Sequence, residues 1–237
     1  MKIVVISDLH GKKDWEKIVE KETKTTDKFV FLGDYFDSFN LPYTEQMLNF
    51  ENLLEFKRNN KSKVVLLFGN HDYHYLSVDN MTYSGFQQFH AIDIKIVIQK
   101  AINDGLIEMC FVNNDYLFCH AGLSRTWVSQ NLEDIIFNDN IEEAMNTLFI
   151  ENPKAFGWIR NESGYTDEYG DNKFQGPLWI RPKSLKKDAI AGFTQVVGHT
   201  STDNIIINDD IIFTDVLDFK LQYLIINNSI KSIGEIT

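Results

Sequence analysis

Asp8 and His10 stand two residues apart in "SDLHG", and Asp34 and Asp37 three apart in "GDYFD". Asn70 and His71 adjoin in "GNHD", His120 opens "HAG", and His199 is central to "GHT". Carboxylates, imidazoles and an amide oxygen suit borderline and hard divalent ions such as Mn, Fe and Zn. Cys119 is the only sulfur near these clusters, which argues against a structural zinc knot. One shared carboxylate with outer ligands on each side is how a pair of metals about 3.5–4 Å apart is held. Such a pair clamps an oxyanion and lowers the pKa of a bridging water, the equipment for hydrolysing a phosphate ester. Of the six histidines, His10, His71, His74, His120 and His199 all fall at or near these clusters, and only His90 lies elsewhere.

Side chains this scattered in sequence need elements that bring them together. Each cluster follows a short apolar or β-branched run: "KIVVIS", "KFVFL", "KVVLLF", "DYLFC" and "TQVV". Such runs read as buried strands, and polar residues at their carboxyl ends can converge at one sheet edge. Helical periodicity lies between several of them. "TEQMLNFENLLEFKRN" puts Met47, Phe50 and Leu53 or Leu54 on one face, with Thr44 as the expected N-cap. "HAIDIKIVIQKAINDG" is a second helix stopping at Gly105, and "LSRTWVSQNL" a third capped by Ser124. After Gly105 the pattern turns to hairpins at Asn114-Asp115, Asp209-Asp210 and Asn228-Ser229. The chain thus opens as β/α and closes as antiparallel β. The expected fold class is α/β, two packed mixed β-sheets flanked by helices, in a single domain over 1–237.

Formal net charge is −11 with a sequence pI near 5.0. An acidic surface argues against general binding to nucleic-acid backbone or anionic membrane. The opening "MKIVVISDLHG" has an apolar run too short for a signal peptide, and no stretch is long enough to span a bilayer. Cys110 and Cys119 give no disulfide framework; they are expected opposite each other in the hairpin as free thiols. The expected setting is the cytoplasm.

In this order, "DLHG", "GDYFD", "GNHD", "HAG" and "GHT" resemble the calcineurin-like metallophosphoesterases. "GHT" in place of a G-H-x-H ending is most similar to the phosphoprotein-phosphatase branch, especially its small bacterial and phage-type members. The resemblance runs from Lys2 to roughly Asp215. It implies that Asp8 and His10 are ligands of a first metal and that Asp34 bridges. It implies Asn70, His120 and His199 as ligands of a second metal, with manganese the expected ion and Fe or Zn the alternatives. It further implies His71 as the general acid and Asp37 as the carboxylate that orients and charges it. His74 matches no family position and reads as a histidine that supports the reacting groups from behind or lies on the surface, with substrate contact the alternative.

The pattern departs in one place. Phosphoprotein phosphatases usually follow the second motif's aspartate with Arg-Gly, whereas this chain has Ser38 and Phe39. A guanidinium that forks onto phosphate is missing there. Arg181 in "GPLWIRP" and Arg160 in "GWIRNESGY" are the expected substrate-binding replacements. Residues 139–182 carry Phe156, Trp158, Tyr165, Tyr169, Phe174 and Trp179 around a turn-rich stretch. They read as a substrate-facing lid or as a packed subdomain. Lys183, Lys186 and Lys187 read as a solvated helix face.

The function expected is a two-metal phosphohydrolase, a metal-bridged hydroxide attacking phosphoserine, phosphothreonine or a small phosphomonoester. A dinucleoside-polyphosphate hydrolase or polynucleotide end phosphatase is the alternative, and a non-catalytic phosphate-binding scaffold is the alternative from another class.

Overall fold

The computed structural model describes residues 1–78, 81–132, 140–159 and 170–236. Two five-stranded mixed sheets pack face to face. The first has the order β10 (Ile230–Glu235), β9 (Gln222–Asn227), β1 (Lys2–Ile6), β2 (Lys28–Phe31), β3 (Val64–Leu66). The second has the order β4 (Phe111–Asn113), β5 (Tyr116–Phe118), β6 (Thr194–Val197), β8 (Ile211–Phe213), β7 (Ile206–Ile207).

Each sheet has three parallel strands, flanked by antiparallel strands on one side in the first sheet and on both sides in the second. β1, β2 and β3 run parallel, as do β5, β6 and β8. Both sheets are mixed, as expected, but the second half, which reads as closing in antiparallel β, has a parallel centre in β5, β6 and β8. The hairpins at Asn114-Asp115, Asp209-Asp210 and Asn228-Ser229 are present, but they build edges, and the strands between them are joined by crossovers.

Alternation divides the core. Ile3 and Val5 of β1, Val30 of β2 and Val65 of β3 face Phe118, Val196 and Ile212 of the other sheet. Val4, Ile6, Phe29, Phe31, Val64 and Leu66 point the other way, into the helix-covered layer. Strands buried on both faces have no polar position to give, which is why these runs are apolar throughout.

The helices are α1 (Asp14–Glu22), α2 (Tyr43–Asn59), α3 (Asn70–Tyr73), α4 (Ala91–Asn103), α5 (Arg125–Asn131), α6 (Ile141–Glu151) and α7 (Pro182–Asp188). α2 buries Phe50, Leu53 and Leu54, but it starts at Tyr43 after an extended Pro42 with no side-chain cap. Thr44 is thus inside the first turn, where proline already fixes the entry. α4 ends with Gly105 N–H on the Ile102 carbonyl and Leu106 N–H on the Ala101 carbonyl, the two bonds of a Schellman stop. Ser124 Oγ accepts the Trp127 amide at 3.0 Å and caps α5. Lys183, Lys186 and Lys187 are exposed on α7. No helix among the described residues is long and apolar enough to cross a membrane.

Candidate active site

All six parallel strands deliver a polar residue just beyond their carboxyl ends. β1 leads to Asp8 and His10, β2 to Asp34 and Asp37, β3 to Asn70 and His71, β5 to His120, β6 to His199 and β8 to Asp215. Asp8, Asp34, Asp37, Asn70, His120 and His199 are all at least nine-tenths buried.

The backbone at these positions is unusual. Asp8, His10, Asp34, Asp37 and His199 have φ of 50°, 42°, 56°, 69° and 65°. This left-handed region costs non-glycine residues roughly 1–3 kcal/mol each and persists only where surroundings enforce it. The glycines before the ligands allow the approach. A Cβ on Gly69 would stand 2.2 Å from Asp34 N, and one on Gly198 would stand 2.1 Å from Asp8 Oδ2. Asp72 locks two of the loops, its carboxylate accepting from the amides of Asp34, Tyr35 and Gly69 at 2.9–3.0 Å.

Asp34 is central. Its Oδ1 accepts the His71 amide at 2.9 Å. Its Oδ2 lies 3.4 Å from His120 Nε2 and 3.8 Å from His10 Nε2. Both imidazoles spend Nδ1 elsewhere, His10 on the Phe36 carbonyl and His120 on the Leu32 carbonyl, each at 2.7 Å. Two Nε2 lone pairs therefore converge on one carboxylate oxygen.

The donor set fits divalent ions. Asp8, Asp34 and His120 offer ligand atoms within 4.8 Å of one another. Asp8 Oδ2 is buried with no hydrogen-bond partner. Asn70 Oδ1 lies 2.7 Å from His120 Nε2 and 2.9 Å from His199 Nδ1. On a neutral His120 that Nε2 is an acceptor, so two acceptors face each other, an arrangement that a cation between them stabilises. Burial holds the protons off His10, His120 and His199. Burial, with Asp215 and Asp34 nearby, pushes the Asp8 carboxyl up. Burial opposes ionisation of Asp34, but His120, His71 and His10 outweigh it and lower its pKa.

Beside this lies a second cluster, Asp37, His71 and His74. Asp37 Oδ2 stands 2.8 Å from His71 Nδ1 and 2.7 Å from His74 Nε2, and Tyr75 OH donates to Oδ1. Its atoms already face one another as donors and acceptors, the pattern of a proton-handling group more than of a ligand set. Burial disfavours a charged His71, but Asp34 and Asp37 raise it to about 9.

Arg181 Nη1 donates to the His199 carbonyl at 3.0 Å and to Thr200 Oγ1 at 3.1 Å, leaving a buried Nε without a partner. Arg160, Tyr165 and Tyr169 lie outside the described residues. The described part of 139–182 is packed. Phe156 and Trp179 are buried, Trp179 Nε1 donates to the Phe156 carbonyl, and Trp158 stands edge-on to Trp179. Trp179 also stands 6.2 Å from His199, ring to ring.

Sequence reasoning missed two participants, Asp215 and Tyr75, and left His74 open. His74 is fully buried against Asp37, behind the reacting groups as one of its expected places had it, and not on the surface. Asp215, behind burial, helps raise the Asp8 carboxyl, and Tyr75 reaches Asp37. Only Asp215 had a readable signal, the same position after a strand that marks the others.

Residues 1–200 match the model of the family described as calcineurin-like phosphoesterase. No curated protein sequence matches the chain. Among solved structures, the fold is similar to that of a cold-active protein-tyrosine phosphatase of a psychrophile Shewanella sp., with 22% identity and a TM-score of 0.65 over 99% of this chain and 77% of that one. A protein serine/threonine phosphatase from Saccharomyces cerevisiae aligns with 15% identity and a TM-score of 0.53, over 100% and 80% of the two chains. A metallophosphoesterase from Sphaerobacter thermophilus aligns with 14% identity and a TM-score of 0.53, over 100% and 89%.

Proposed function

This chain belongs to the calcineurin-like phosphoesterase family, and from that premise we propose that it hydrolyses phosphate monoesters with two divalent metal ions, manganese in the first place. The observation that carries this reading is Asp34 Oδ2, which both His10 Nε2, at 3.8 Å, and His120 Nε2, at 3.4 Å, approach. Asp8 and His10 would hold one ion, Asn70, His120 and His199 the other, and Asp34 both. When bound, the ions supply Lewis acidity towards the phosphoryl oxygens and lower the pKa of a coordinated water.

The chain's own residues do the rest. Asp37 takes His71 Nδ1, which fixes the ring and leaves the Nε2 proton for the departing oxygen. Arg181 is anchored through Nη1, so its remaining donors are held in place for the equatorial oxygens of the phosphoryl group. Residues 139–182 are read as a substrate-facing insertion, of whose described residues the buried Trp179 stands beside His199.

The substrate class is a phosphomonoester on a protein or a small molecule. Phosphoserine and phosphothreonine are supported by the likeness to the yeast phosphatase, and phosphotyrosine by that to the Shewanella enzyme. The buried free thiols Cys110 and Cys119 agree with a cytoplasmic setting.

The test is turnover of nitrophenyl phosphate by chelated protein with and without added Mn, Fe or Zn. Metal-restored turnover supports the enzyme. Absence of turnover with every ion would leave a phosphate-binding scaffold.

A further inference from the structure

A cavity of about 580 Å³ opens beside the site and is lined on one side by His10, Asp37 and His71. Phe39, Leu41 and Leu217 supply its apolar wall. Asp8, Asn70, His120 and His199 are not in its lining. In an in-line displacement the attacking and leaving oxygens stand on opposite sides of phosphorus. The group that protonates the leaving oxygen must stand on the leaving side. If His71 is that group, as the proposed function has it, the cavity receives what departs.

Phe39 is the unusual part of this wall. It is 79% exposed, yet its loop is pinned. Ser38 Oγ accepts the amides of Asn40 at 3.3 Å and Leu41 at 3.2 Å. The buried Gln46 accepts the Ser38 amide at 3.1 Å and donates to the Leu41 carbonyl at 2.7 Å. An aromatic ring is thus presented on an ordered turn, beside two leucines, at the mouth of a cavity that His71 lines. A single exposed apolar residue needs no explanation, but one built into a concave wall marks a ligand surface.

Charge narrows the ligand. The charged residues of the wall away from the histidines are Lys12, Asp14 and Asp218. Lys12 is paired with Asp218, and Asp14 with Lys17. Among the described residues, this wall has no unpaired cation for a second phosphate, which disfavours nucleoside polyphosphates and polynucleotide ends. A serine's single methylene has little apolar surface to offer this wall, whereas a phenol ring has a face that can lie against it.

We propose that this cavity is an aryl leaving-group subsite in which Phe39 sets a preference for phosphotyrosyl over phosphoseryl substrates. In the step it serves, the oxygen of water bonds to phosphorus. The bond from phosphorus to the phenolic oxygen breaks with its electron pair on that oxygen, and His71 supplies the proton. The products are the tyrosine side chain and inorganic phosphate.

The experiment uses the manganese-loaded full chain and two peptides with identical flanks, one carrying phosphotyrosine and one phosphoserine. The wild type should show the higher kcat/KM on phosphotyrosine. Phe39→Ala should cut the ratio of the two by roughly 3- to 10-fold, the range of one aromatic pair, and Phe39→Tyr should keep it. Calorimetric binding of phenylphosphonate and methylphosphonate gives a readout without turnover, with the phenyl advantage lost in Phe39→Ala. Turnover of both peptides with a ratio unmoved by Phe39→Ala overturns the subsite and leaves the phosphatase standing. Faster turnover of a dinucleoside polyphosphate than of either peptide also overturns it. No turnover of any phosphate ester overturns the phosphatase reading. The phosphonates then decide the subsite alone, and equal binding of the two contradicts it.

Discussion

His74 Nε2 lies 2.7 Å from Asp37 Oδ2, the same oxygen that His71 Nδ1 meets at 2.8 Å. His74 Nδ1 accepts the Tyr83 amide at 3.3 Å, so the neutral ring carries its proton on Nε2, the nitrogen beside Asp37. With Tyr75 on the other oxygen, Asp37 is gripped by three side chains. Burial works against its charge, yet the bonds from His71 and His74 hold its pKa down to about 2. His74 therefore bears on the orientation of His71 through a shared carboxylate.

The two histidines should separate by leaving group. A nitrophenolate departs with little help, and a serine alkoxide needs a proton. His71→Asn should slow alkyl phosphate hydrolysis far more than nitrophenyl phosphate hydrolysis, within the ~10²–10⁴-fold range of acid–base catalysis. His74→Gln should show the same selectivity at about a tenth of that size or less, since Asp37 and Tyr75 still hold His71. The ratio of the two rates in each variant is the readout. Equal slowing of both substrates in His71→Asn would remove it as the acid.

Arg181→Ala should lower kcat while leaving metal content unchanged, because the guanidinium touches the His199 carbonyl and Thr200 without touching a ligand atom. Loss of one charge-assisted bond costs on the order of 1.5–3 kcal/mol. Elemental analysis beside steady-state kinetics checks both halves. Native turnover in Arg181→Ala would mean that phosphate is held without it.

Chelated protein should lose stability as pH rises from about 6.5 to about 9; below that window the buried His10, His120 and His199, whose protons burial holds off, act with the opposite sign. Asp8 is pushed above its ordinary value by burial and the nearby Asp215 and Asp34, and Asp215 is pushed up to about 7 by burial and Asp34. Between the usual carboxylate range and those values the folded chain binds more protons than the unfolded one, so stability falls with pH. His71 has the same sign. Its charge stabilises fully below its ordinary 6.5, and that contribution is lost as pH climbs through about 9. Divalent ions replace the missing positive charge, so added manganese should raise the melting temperature more at pH 8 than at pH 6.5. A melting temperature of the chelated protein that is flat over this window would contradict the electrostatic account.

The ligand loops were legible because each demands a local signature: a buried strand, a glycine that lets backbones touch, then a donor. Gly69 before Asn70 and Gly198 before His199 are such places. His74 had no such signature, since its role comes from the turn of α3 carrying it back under Asp37. The parallel run β5, β6 and β8 was hidden as well. Strand direction there is set by crossovers of more than seventy and about a dozen residues, and the hairpins at the margins, being local, dominated the pattern. Thr44 failed as a cap because Pro42 already fixes the start of α2.

The most direct test is the metal content and turnover of Asp34→Asn measured on the same preparation. The account predicts two ions per wild-type chain, and in the variant the loss of at least one ion together with turnover, since Asp34 Oδ2 faces both His10 and His120. An Asp34→Asn protein that holds two ions at native affinity and hydrolyses nitrophenyl phosphate at a near-native rate would contradict it.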